Sequence, residues 1–163
     1  MEQSNEQKFY DILKSFRNAM LVTHAGNTLR ARPMAIAQVQ PSCEMWFMTD
    51  AECAKTHEIM SDTRVLVTCQ NDSSSYISVN GTASVVLNRA KINELWQEPY
   101  AVFFPKGKND PNIALIQFKP QDGEYWDGGG LNKVKYLYEA AKAYATGEKI
   151  HVKEGEQHGF VKL

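Results

Sequence analysis

Residues 30–55 read RARPMAIAQVQPSCEMWFMTDAECAK, and the fold turns on how that stretch is divided. Two arginines open an apolar run, Pro41-Ser42 mark a turn, and the aromatic segment EMWFMTD (44–50) reads as a second strand. AECAKTHEIM (51–60) then reads as a helix with Ile59 and Met60 turned inward. Arginines near a strand end, with Lys55 and Thr56 one helical turn on, form a cradle for one phosphate. Guanidinium and ammonium donors would converge on it. The apolar residues beside them suit a flat ring, so the stretch points to a phosphorylated, ring-bearing cofactor.

Working outward, residues 4–18 carry Phe9, Ile12, Leu13 and Phe16 at helical spacing, with Ser4 as N-cap. MLVTH (20–24), a Gly26-Asn27 turn and the run Leu29 to Val39 read as a hairpin. Pro33 lacks an amide donor, which places its strand at an edge or a bulge. RVLVTCQ (64–70) is a strand, and YISVNGTASVVL (76–87) is a long one with a bulge at Asn80-Gly81. Residues 89–97 read as a short helix around Ile92, Leu95 and Trp96. IALIQFKP (113–120) and GEYWD (123–127) read as two strands. A helix from about Lys133 to Thr146 carries Val134, Leu137, Tyr138, Ala141 and Tyr144 on one face. The polar tail, 147–163, has a weak hairpin signal and is expected to be partly mobile.

About six strands with local connections, and helices that do not alternate with them, specify an antiparallel barrel or sandwich of α+β type. With 163 residues, no internal repeat and no low-complexity linker, residues 1–163 read as a single domain. A chain of that length buries roughly two-thirds of its unfolded surface.

Hydrophobic content of 43% and charged content of 23% are ordinary for a globular protein, and the net charge of -1 makes no case for nucleic acid or an anionic membrane. The N-terminus is polar and no apolar run is long enough to span a bilayer, so the cytoplasm is the expected compartment. Cys43, Cys53 and Cys69 show no CxxC spacing, which argues against a disulfide framework or a zinc site. Cys69, inside VLVTC, reads as a small buried hydrophobe. Cys53 reads first as a packing residue, although cations at the cradle would depress its thiol. His24, His57, His151 and His158 have no ligand spacing, and no metal site is expected. Gly128–Gly130 is no phosphate loop, because no strand-to-helix GxGxxG surrounds it. FFPKGKNDPN (103–112) fits either a pocket rim or a solvated turn.

The order helix, LVT strand, RPM, WFMTD, KxxEI, long VxG strand and EYWD resembles the general stress protein 26 family, over roughly residues 6–140. That family belongs to the FMN-binding split-barrel superfamily, which includes pyridoxamine 5'-phosphate oxidase. The resemblance implies a six-stranded antiparallel split β-barrel with flanking helices, homodimeric, with FMN at the subunit interface. Arg32-Pro33-Met34-Ala35-Ile36 is similar to the oxidase's R-x-V-L-L strand, whose arginine meets the FMN phosphate and whose backbone lines the flavin ring. Phe47-Met48-Thr49-Asp50 resembles its F-Y-T-N segment. Cys53-Ala54-Lys55 stands where that family has Ser-Arg-Lys, so only Lys55 keeps the phosphate-binding trio. Tyr76 takes the place of a family glutamine, and Tyr125-Trp126-Asp127-Gly128 resembles F-W-Q-G, whose tryptophan reaches the flavin from the partner subunit. Trp46 reads as core.

One departure bears on activity. The oxidase follows F-W-Q-G with R-L-H-D-R, which holds its substrate, whereas this chain has GLNKVKY with neither Arg nor His. Pyridoxamine-phosphate oxidase activity is therefore not expected. Three readings stand: an FMN-dependent oxidoreductase of unassigned substrate, a flavin-binding stress or sensor protein without turnover, and a split barrel that binds haem or deazaflavin. No side chain is singled out as catalytic, because a flavin carries the redox chemistry itself.

Overall fold

The computed structural model describes residues 3–150 and 157–163. Seven strands run in the order β3-β2-β1-β4-β5-β6-β7, and a further β3–β6 pairing closes the first six into a ring. This is an α+β, six-stranded antiparallel split barrel with flanking helices, to which a seventh strand is added.

Helix α1 (Asn5–Leu13) starts where Ser4 accepts a hydrogen bond from the Gln7 amide (3.2 Å). It ends well short of residue 18. Ser15 and Phe16 instead form a turn on the Ile12 and Leu13 carbonyls, which returns Phe16 to the core beside Phe9 and Leu13. The helical spacing of Phe16 is thus met by a turn that also launches β1. Strands β1 (Asn18–Ala25) and β2 (Thr28–Val39) pair from Asn18–Ala35 to Ala25–Thr28, around Gly26 at φ +63°. Positive φ is what a two-residue hairpin loop demands and glycine supplies.

Strand β3 (Met45–Asp50) is buried from Met45 to Thr49, against the barrel core on one face and a smaller cluster of Trp46, Met48, Ile92, Leu95, Phe104, Ile113 and Leu115 on the other. Helix α2 (Ala54–Ser61) buries Thr56 and Ile59, one turn apart. Met60 is 62% exposed, against expectation, since a step of about 100° per residue cannot place two neighbours on one face.

Strand β4 (Arg64–Gln70) alternates cleanly, and β5 (Ser75–Val86) shifts register at Asn80/Gly81, the expected bulge. The two strands expected at 113–120 and 123–127 are one, β6 (Ile113–Asp127). Asn80 faces Asp122 and Gly81 faces Pro120, so Gln121 is an extra residue absorbed by the bulge and the strand continues through the proline. A Cβ on Gly81 would lie 2.2 Å from the Lys119 carbonyl oxygen, which explains the glycine at this close approach.

Helix α3 (Arg89–Leu95) is capped by Asn88, with Ile92 and Leu95 buried and Trp96 at its end. Short 3₁₀ turns at Glu98–Val102 and Gly107–Asn109 follow. Helix α4 (Leu131–Thr146) has no buried residue. The C-terminal end is paired rather than loose: β7 (His158–Lys162) joins β6 from Asp122–Lys162 to Trp126–His158. The rest of the expected hairpin signal, with His151, falls on 151–156, outside the described residues. Among the described residues no helix is long and apolar enough to cross a membrane.

Candidate functional site

The split is a consequence of register. Strands β2 and β3 pair only between Ile36–Val39 and Met45–Phe47, with Ala37 as an extra residue. Beyond that point β2 is held by β1 alone, and β3 from Met48 to Asp50 by β6 alone. The strands splay, and a groove of about 660 Å³ opens between them. Pro33 sits in the stretch that has one strand neighbour, as its missing N–H requires.

This groove collects Arg32, Pro33, Met34, Ala35, Met48, Thr49 and Lys55. Tyr100, Phe103 and Phe104 form its rim, so the 103–112 loop begins as a pocket wall rather than a solvated turn. Asn18 and Asp50 also line it; Asp50 closes the WFMTD motif, whereas nothing in the sequence context of Asn18 marked it.

Four expected residues lie elsewhere. Phe47 has no exposed surface, and it pairs with Ile36 on one side and Ile116 on the other, which commits its backbone as well. Thr56 is also fully buried; its hydroxyl donates to the Ala51 (2.8 Å) and Cys53 (2.6 Å) carbonyls, closing the first turn of α2. Tyr76 and Trp126 stand outside the groove, about 40% exposed, on the outer face of β5 and β6 (41% and 39%). A shallower cleft of about 400 Å³, lined by Asn18 and Pro33 at one end and by Tyr76 and Trp126 at the other, joins the two regions.

The charges are arranged unequally. Arg32 Nη2 lies 2.6 Å from Glu58 Oε2, and Arg32 Nη1 donates to Thr23 Oγ1, whose hydroxyl donates to the same carboxylate. Glu58 is nearly buried (side chain 9% exposed), and Arg30 reaches its other oxygen from 3.4 Å. Burial works against the charged carboxyl. Hydrogen bonds from Thr23 and Arg32, with the positive charge of both arginines, outweigh it and hold Glu58 below the usual range. Among the described residues Lys55 Nζ, by contrast, touches only the neutral Thr49 hydroxyl (3.1 Å) and Cys53 sulfur (3.3 Å). Sequence reasoning missed Glu58 as a site residue. No local signal marked it, because the cation that an almost buried carboxylate needs is Arg32, 26 positions earlier in the chain.

Burial opposes the Cys53 thiolate, but hydrogen bonds from Thr49, Thr56 and Lys55 prevail and leave the thiol below its ordinary value. Burial pushes Cys43 up to about 11, with the Glu6 charge adding to it, and Cys69 up to about 12. Iodoacetamide at mildly alkaline pH is therefore expected to label Cys53 alone in the folded protein, read by peptide mass spectrometry. Equal labelling of Cys43 or Cys69 would contradict this ordering. Among the described residues, no three His, Cys, Asp or Glu side chains gather to hold a metal ion.

Fold and groove together define a split-barrel protein with a cationic, apolar-walled cleft of small-ligand size. The chain belongs to the pyridoxamine 5'-phosphate oxidase like family, whose model matches residues 4–151. It is similar to General stress protein 26 of Bacillus subtilis, 23% identical over 132 residues that cover 78% of this chain and 92% of that protein. Protein bli-3 of Neurospora crassa is 26% identical over 135 residues, 74% of this chain, and the chain spans 65% of that protein's length. A candidate general stress protein 26 from Jannaschia sp. CCS1 superposes with a TM-score of 0.74 at 25% identity, covering 96% of both chains. The general stress FMN/FAD binding protein of Xanthomonas citri gives a TM-score of 0.67 at 26% identity, covering 77% of this chain and 89% of that one.

Proposed function

We propose that this chain is an FMN-binding flavoprotein of the general stress protein 26 type, acting as a homodimer with the flavin at the subunit interface. The groove in the split carries the reading: Lys55 and Arg32 stand at one part of it and Pro33, Met34, Ala35 and Met48 along its walls. That donor set suits a phosphate dianion beside a flat ring, and the volume lies within the range of cofactor pockets. The unpaired strand flanks at 32–35 and 48–50 supply backbone hydrogen-bonding groups to a ring's polar edge. When bound, FMN would supply the redox chemistry. The residues of this chain bind the phosphate, orient the ring and, through Tyr100, Phe103 and Phe104, exclude water.

Two observations support the dimer. Trp126 and Tyr76 lie outside their own groove yet remain exposed, available to a second copy. Helix α4 leaves Leu131, Val134, Leu137, Tyr138 and Tyr144 each more than half exposed, and a 16-residue helix with nothing buried is marginal in water.

Freshly purified protein is expected to show oxidised-flavin absorption, to release FMN rather than FAD on denaturation, and to sediment at twice the mass of the chain. A colourless monomer that takes up no added FMN would overturn the reading. A second reading, flavin binding without turnover, is favoured by one observation: GLNKVKY (130–136) offers neither Arg nor His after the EYWD motif. Steady-state assays with reduced nicotinamides and several acceptors separate the two, since robust turnover removes the second.

A further inference from the structure

Cys53 stands half-buried at the start of α2 with its backbone pinned. Its carbonyl accepts from the Thr56 amide (3.2 Å), the His57 amide (3.4 Å) and the Thr56 hydroxyl (2.6 Å), so rotation about one side-chain bond places the sulfur. The thiol does not cap the helix. It lies 3.3 Å from Lys55 Nζ and 3.4 Å from Thr49 Oγ1, and that hydroxyl accepts from the same ammonium at 3.1 Å. Sulfur, nitrogen and oxygen thus close a triangle at the groove, and two of its corners, Lys55 and Thr49, line the wall.

A thiol with an amine as its neighbour has a reaction open to it that a solitary thiol lacks. Against the burial that opposes it, hydrogen bonds from Thr49, Thr56 and Lys55 favour the thiolate of Cys53. Cys43 and Cys69 are buried within the barrel core, where the neutral thiol is favoured. Cys53 is therefore the sulfur that meets an oxidant first. A peroxide supplies the opening step. The thiolate attacks one peroxide oxygen, the O–O bond breaks, hydroxide leaves, and sulfur, oxidised by two electrons, becomes a sulfenic acid. Sulfenic sulfur is electrophilic and condenses with a nitrogen within reach. Here that nitrogen is Lys55 Nζ. Having given one proton to the hydroxide, it attacks sulfur; an S–N bond forms, the S–O bond breaks and water leaves. The sum converts thiolate, ammonium and peroxide into a sulfenamide and two molecules of water.

We propose that Cys53 and Lys55 form a redox modification site, in which a peroxide couples the two side chains through an S–N bond and so disables the phosphate cradle. The coupled nitrogen has given up its positive charge, which takes Lys55 out of the donor set. Arg32 remains, but it is already shared with Thr23 and Glu58. Small thiols reverse the coupling: two of them return the thiol and the amine and leave as a disulfide. The effect on FMN rests on the flavin reading, whereas the coupling itself does not.

The test treats the full chain, without flavin, with a slight molar excess of hydrogen peroxide at neutral pH. Intact mass and tryptic mapping are the readouts. The monomer is expected to lose two hydrogens, to resist trypsin after Lys55, to keep Cys43 and Cys69 open to alkylation once unfolded, and to regain its starting mass with dithiothreitol. Cys53→Ser should show none of these changes. Lys55→Arg keeps a cation but no amine nucleophile, so its Cys53 should gain oxygen instead. Coupled protein should bind FMN about tenfold more weakly than reduced protein, the loss expected of Lys55→Ala. A parent that gains oxygen while trypsin still cuts after Lys55, or a Lys55→Arg variant that loses two hydrogens as the parent does, would overturn the site. Equal FMN affinity in the coupled and reduced states would overturn the switch. Coupling in a parent that takes no FMN in either state would uphold the site and remove the flavin reading alone.

Discussion

Replacing Arg32 by alanine is expected to weaken FMN binding roughly 10- to 150-fold, the equivalent of about 1.5–3 kcal/mol for a hydrogen bond to a charged group. The larger figure is the one to expect, because the substitution does two things. It removes a guanidinium from the groove, and it strands Glu58, whose carboxylate has Arg32 as its close cation at 2.6 Å. A negative charge left nearly buried beside a phosphate dianion repels it. Lys55→Ala should cost less, about tenfold, since among the described residues the ammonium contacts only the neutral Thr49 and Cys53 and leaves no orphaned charge behind. Arg32→Ala/Glu58→Gln should therefore bind FMN more tightly than Arg32→Ala alone. Fluorescence titration of the apoprotein reads all three variants against the parent. If the double variant were no better than the single, the repulsion argument would fall, and unchanged affinity in Arg32→Ala would remove the cradle.

The same pair has a pH signature that does not require the flavin. The carboxyl of Glu58 is held below its ordinary value in the folded chain, so the folded state binds fewer protons than the unfolded one around that range. The pair's contribution is then present above the unfolded pKa and is lost as pH falls through the depressed folded value. Glu58→Gln should remove that limb of the stability profile while leaving neutral-pH folding largely in place.

What was legible in the chain follows from how local each signal was. Strand β4 alternates between buried and less buried residues along its whole length, because each side chain answers only to the pleat. The bulge at Asn80-Gly81 was legible from the glycine, but its effect on the facing strand was not. Only the pairing of Gly81 with Pro120 shows that β6 runs on through a residue that normally stops a strand. Phe16, Met60 and β7 failed for a related reason: a turn satisfies the first, the opposite side of α2 the second, and pairing with a strand more than thirty residues earlier the third. Within the groove, residues contiguous along β2 came together as read. The 26-residue separation of Arg32 and Glu58 hid the pair that sets the local charge. Thr56 and Phe47 looked available because sequence does not reveal which side of an element faces inward.

Phe9→Ala is expected to destabilise the fold by about 3–5 kcal/mol. Phe9 has no exposed surface, meets the Tyr125 ring edge-on at 6.3 Å and 65°, and lies over Gly123 of β6 so closely that a Cβ there would fall 2.5 Å from its ring. The ring thus occupies a notch that only glycine leaves open, and it fastens α1 to the half of β6 that carries Tyr125 and Trp126. Gly123→Ala should be destabilising in turn, by about 1–3 kcal/mol, since a packed ring must yield to the new methyl. The informative measurement is the double variant in chemical denaturation. With the phenyl gone, the methyl at 123 enters vacated space, so Phe9→Ala/Gly123→Ala should be more stable than the sum of the two singles allows. Midpoints should shift with little change in denaturant slope, because the unfolded chains expose nearly the same surface. Strict additivity would mean that the glycine is not reserved for the ring, and that the close packing of α1 on β6 is not what holds this end of the barrel.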